Sequence, residues 1–75
     1  PKFNKIRLHY TIYLGSNQKS DIMNWVSIID KFFQDCLVKA EKLEDDNYDY
    51  VPEVIAKFGG VDLTNPRIEI EIEEL

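Results

Sequence analysis

The chain has few of the residues from which chemical sites are most often built. Its 75 residues include one cysteine, Cys36, one histidine, His9, one methionine and one tryptophan. A lone cysteine excludes an internal disulfide and cannot alone make a zinc site, so a reducing compartment such as the cytoplasm is expected. No apolar run exceeds three residues, far below the ~20 that a membrane-spanning helix needs. No basic segment leads into an apolar stretch, so no secretory signal is expected. Cations are scarce: nine basic residues face fourteen acidic ones, for a net charge of -5. Phosphate contacts dominate nucleic-acid affinity, so this balance disfavours direct nucleic-acid binding.

What is present suffices for one small domain spanning residues 1–75, near the lower size limit for unaided folding. The charge is unevenly spread. Residues 1–40 carry six basic and three acidic side chains, and residues 41–75 carry three basic and eleven acidic ones. The two halves can neutralise each other in the fold, or the acidic half can steer a basic partner.

Two segments alternate with the period of a strand. Ile6, Leu8, Tyr10, Ile12 and Leu14 interleave with Lys5, Arg7, His9, Thr11 and Tyr13, which predicts a strand over 5–14 with its apolar side chains on one face. Arg67 to Glu73 alternates Ile68, Ile70 and Ile72 with Glu69, Glu71 and Glu73, a half-buried strand with an acidic outer surface. Set antiparallel, the two can place Ile6 by Ile72 and Tyr10 by Ile68, with Lys5, Arg7 and His9 facing Glu73, Glu71 and Glu69.

Between them lies a helical pattern. Ser20 suits an N-cap and Asp21 the first turn. Ile22, Trp25, Val26, Ile29, Phe32, Phe33, Cys36, Leu37, Ala40 and Leu43 recur at steps of three and four, with Ile28 widening the stripe. Asp30, Lys31, Gln34, Asp35, Lys39, Glu41 and Lys42 fall mainly on the other side, and the helix is expected to end near Leu43 or Glu44. Pro52 to Phe58 reads better as a short helix, stopped by Gly59 and Gly60, than as a strand over 53–58. The expected fold is a small α+β domain, β-α-(short α or β)-β, with an antiparallel sheet packed on one long amphipathic helix.

Two strands are too narrow to cover that helix. A second copy of the chain is therefore expected to complete the core as a homodimer, with self-association through Trp25, Phe32 and Phe33; the two copies can join edge to edge into a four-stranded sheet, pack their long helices together, or do both.

No catalytic or cofactor motif emerges. Asp45, Asn47 and Asp49 are spaced like the start of a calcium loop, but Tyr50 stands where glycine is required and Ala56 where glutamate is required. His9 lies on the charged strand face and Cys36 on the apolar stripe, where a buried thiol behaves as a small hydrophobe. Gly59-Gly60 lacks the lysine of a phosphate loop. The expectation is a protein without enzymatic activity, cofactor or metal.

The better candidate for function is an acidic surface bearing tyrosines. Asp45, Asp46, Tyr48, Asp49, Tyr50 and Glu53 form one patch, and Glu69, Glu71 and Glu73 a second. The reading is a small acidic adaptor or inhibitor that binds a basic partner protein and can occlude a nucleic-acid site. By size and charge alone it is comparable with phage and mobile-element products that disable host machinery. The alternatives are a dimeric nucleic-acid-binding regulator using Lys5, Arg7, His9 and Thr11 of the first strand, and a structural assembly subunit.

Overall fold

The strand over Ile6–Leu14 (β1) is the middle of the molecule. Ile6, Leu8, Tyr10 and Ile12 are buried, and the residues between them are half-buried, so the alternation read from the sequence is the alternation of the two sheet faces. In the computed structural model, which describes residues 2–16 and 22–75, the order continues with a helix over Ile22–Lys39 (α1) and strands over Glu53–Val61 (β2) and Arg67–Glu74 (β3). The result is a small α+β domain with a three-stranded mixed sheet of order β2-β1-β3. β2 runs parallel to β1, and β3 runs antiparallel to it.

The segment expected to favour a short helix is a strand. Val54, Ala56 and Phe58 stand beside Leu8, Tyr10 and Ile12, so a parallel edge on β1 supplies the contacts that an isolated short helix would lack. Gly59 and Gly60 do not stop this element. The register shifts between Ile12 and Tyr13, where Gly59 is the extra residue and Gly60 takes φ 131°. A bulge with a glycine in that conformation keeps the strand paired to Val61.

The antiparallel pairing of β1 with β3 is as expected, but its register is displaced by two residues. Leu8 faces Ile72, Tyr10 faces Ile70 and Ile12 faces Ile68. A shift of two keeps every isoleucine on the same face, so apolar patterning cannot distinguish the two registers. Polar contacts favour the observed one. It sets Arg7 opposite Glu73 and brings the Arg67 guanidinium over the Tyr13 ring, 3.9 Å from its centroid.

α1 ends at Lys39, four residues earlier than expected. The Lys42 amide donates to the Leu37 carbonyl at 2.9 Å and the Glu41 amide to Val38 at 3.0 Å. Glu41 adopts φ 59°, the left-handed residue that closes such a terminus. Leu43 is buried, but on the segment that turns back, where the Phe3 amide donates to the Lys42 carbonyl. The proposed N-cap, Ser20, and Asp21 lie outside the described residues.

The helix is also rotated relative to the simplest reading of its stripe. Val26 and Leu37 are buried in the core, and Ile29, Phe33 and Val38 pack partly against it. Asp30 and Gln34, expected on the outer side, face the sheet. The buried Tyr10 hydroxyl donates to Asp30 Oδ1 at 2.6 Å, and Gln34 Nε2 donates to the same oxygen at 2.7 Å. A buried phenol needs an acceptor, and turning Asp30 inward supplies it. The rotation leaves Trp25, Ile28 and Phe32 outside, together with Cys36, whose thiol is exposed rather than buried. One helix cannot span three strands, so Phe58 and Ile70 on the edge strands are also exposed.

Among the described residues, no helix is long and apolar enough to cross a membrane.

Candidate binding surfaces

The connection between α1 and β2 folds on its own polar side chains. Asp45 Oδ1 accepts from the Asp46 amide at 2.8 Å, and Asn47 Oδ1 accepts from the Asp49 amide at 2.9 Å. Asn47 Nδ2 donates to Asp45 Oδ2, and the Asn47 carbonyl accepts from the Tyr50 and Val51 amides. The Asn47–Asp49 contact is an Asx turn, and together these bonds use side-chain oxygens that the calcium-like spacing suggested as ligands. Among the described residues no group of three or more His, Cys, Asp or Glu side chains could hold a metal ion.

Buried Leu43 and Val51 fasten the two ends of this connection. The tyrosines then part company. Tyr50 packs partly against the core, whereas Tyr48 is 79% exposed. Asp45, Asp46 and Asp49 are exposed beside Tyr48 in the chain. The patch therefore consists of one outward aromatic and three carboxylates on a braced loop, and Tyr50 belongs to its foundation.

Glu53, Glu69 and Glu73 lie on the outer sheet face, but each has a partner within the chain. Glu53 accepts from Arg7 Nε, and Glu73 accepts from Arg7 Nη1 at 3.1 Å. His9 Nε2 lies 2.8 Å from the same Glu73 oxygen. The hydrogen bond with His9, then that with Arg7, holds the Glu73 carboxyl below the usual carboxylate range. Glu69 accepts from Arg67 Nε at 2.9 Å, while Arg67 Nη1 also reaches Asp62 at 2.8 Å. That Arg67 contact, more than the hydroxyl of Thr64, lowers the Asp62 carboxyl. Glu71 is exposed opposite His9.

Strand directions place the starts of β1 and β2 and the end of β3 together. Glu53, Glu73 and Glu74 thus lie at the end of the sheet that the α1–β2 connection enters. Of the second acidic segment only Glu73 shares that end, since Glu71 and Glu69 lie farther along the sheet beside His9 and Thr11, and Glu53 and Glu73 are largely occupied by Arg7. Sequence reasoning missed the Glu53 contact because it depends on β2 lying beside β1, and the Glu73 contact because it depends on the two-residue shift of the β1–β3 register.

Tyr13 completes the outer face. Its ring lies between the Arg67 guanidinium and Gly59, where an added Cβ would come within 2.7 Å of the ring. The glycine makes room for an aromatic–cation stack, a role that no local pattern revealed.

A different surface lies on α1. Trp25 is 53% exposed, Ile28 68% and Phe32 71%. Phe33, grouped with them in the sequence reading, instead leans on the core. Cys36 belongs to this outer helical face, on the opposite side of the sheet from His9, so the two do not converge as a nucleophile and base. No protein-family model, curated protein or solved structure matches the chain.

Proposed function

We propose that the chain is a non-enzymatic acidic protein-binding module, a small adaptor or inhibitor that seats on a basic surface of a partner protein. The observation that carries this reading is the exposed Tyr48, set among Asp45, Asp46 and Asp49 on a loop braced by an Asx turn at Asn47 and by the hydrogen bonds of Asp45. A preformed loop loses little entropy on docking, an outward tyrosine supplies apolar area, and the carboxylates attract lysine and arginine. A partner surface that normally receives nucleic acid has the required charge, so occlusion of such a surface is the mode of action we favour. A reducing cytoplasmic setting suits the single exposed thiol.

The first strand is less suited to reading nucleic acid. Its Arg7 is held between Glu53 and Glu73, and a phosphate would have to displace both.

The test is a titration of the partner recovered from the native host by the immobilised chain. Tyr48→Ala combined with Asp49→Ala is expected to weaken binding by about tenfold or more. Equal affinity of the double variant and the parent chain would remove the loop from the account.

A further inference from the structure

We infer that the outer face of α1 is the contact surface for a second copy of this chain, with the two helices antiparallel. Trp25, Ile28 and Phe32 form a stripe at steps of three and four, and all three are more than half exposed. The helix cannot simply roll to bury them. Such a turn would pull Asp30 from the Tyr10 hydroxyl and move Gln34 out of the core-facing side. The apolar stripe is thus fixed outward by a buried polar contact, and covering it requires another molecule.

The size of the stripe fits a self-contact. Three such side chains expose roughly 100 Å² or more each. With the stems of Lys31 and Lys39 beside them, two copies together bury on the order of 1,000 Å², the lower limit of a specific interface.

Charge also favours another copy of the same helix. Asp30 is turned inward to Tyr10 and Gln34, and the rest of residues 22–39 carry Lys31 and Lys39 against Asp35, so this face lacks the excess of carboxylates that the chain has as a whole. A parallel arrangement would bring together the two α1–β2 connections, each with Glu41, Glu44, Asp45, Asp46 and Asp49. An antiparallel one separates them and opposes the helix dipoles favourably. It also lets Ile28 of each copy meet Phe32 of the other near the two-fold axis.

An interface of this size is expected to dissociate at micromolar to tens of micromolar concentration, on the order of what weak specific contacts show. Sedimentation equilibrium from about 1 to about 500 μM is expected to show the mass rising from 8.8 kDa towards twice that value. Ile28→Glu with Phe32→Glu should hold the mass at the monomer value throughout. Both positions are largely exposed in one copy, so circular dichroism of the double variant should match that of the parent. A monomer at 500 μM, or a dimer that survives both substitutions in a folded variant, overturns the inference. Ready oxidation of the dimer to a Cys36–Cys36 disulfide overturns the antiparallel arrangement, which keeps these residues much farther apart than the ~7 Å limit for a bridge.

Discussion

The Tyr10 hydroxyl ties the sheet to the helix. Its side chain belongs to the buried face of β1, and its one polar atom reaches Asp30 on the helix. Burial first, then the Asp30 carboxylate, raises the phenol above its ordinary value. The folded chain therefore keeps a proton that the unfolded chain releases above about pH 10. The stabilisation is complete below that pH and declines as pH rises further. Tyr10→Phe is expected to cost about 1–2 kcal/mol near neutrality, by leaving Asp30 without this donor, and to lessen the alkaline decline. Thermal unfolding of the two chains from neutral to strongly alkaline pH checks both effects. Phenylalanine as stable as tyrosine at neutral pH would show that the contact does not hold the helix in place.

Among the elements, β1, β3 and the helical segment were legible because burial on one side imposes a period on each. β2 was not. Val54, Ile55 and Ala56 give a short apolar run without clear alternation, and Pro52 and Gly59-Gly60 bracket it like helix boundaries. Its strand character comes from pairing with β1, and its glycines are explained by Tyr13 and a bulge, neither of which is local. The rotation of α1 was hidden for a similar reason. Asp30 and Gln34 read as solvent-facing because the pattern does not reveal that a tyrosine across the core needs an acceptor. The acidic neighbours marked Tyr48 and Tyr50 alike and did not reveal that Tyr50 leans on the core; the capture of Glu53 by Arg7 depended on the unseen strand, and that of Glu73 on the β1–β3 register. Helix termination carries its own prediction. Glu41 sits at a left-handed position that glycine occupies without steric cost. Glu41→Gly is expected to stabilise the fold by about 0.5–1 kcal/mol, read as a higher urea midpoint with unchanged slope. A lower midpoint would contradict the assigned cap.

At the scale of the whole molecule, opposite charges are matched across the sheet while acidic groups accumulate at one end. Glu73 and Asp62 both titrate below the ordinary carboxylate range because of their cationic partners. Each contributes stability that is present above the unfolded-state value, near pH 4, and is lost as pH falls through the lower folded-state value. Glu73→Gln with Asp62→Asn should therefore flatten the fall in stability between about pH 5 and pH 2. An unchanged acid profile would mean that the sheet-face pairs are not stabilising.

One copy is expected to keep the Trp25 stripe wet, and two copies to dry it. Trp25 is the chain's only tryptophan, so its fluorescence reports this surface without a label. Dilution of the concentrated protein through the micromolar range is expected to shift the emission to the red and to raise its quenching by acrylamide, with the far-ultraviolet dichroism unchanged. Emission and quenching that stay constant while the mass halves would place the contact elsewhere and contradict the account.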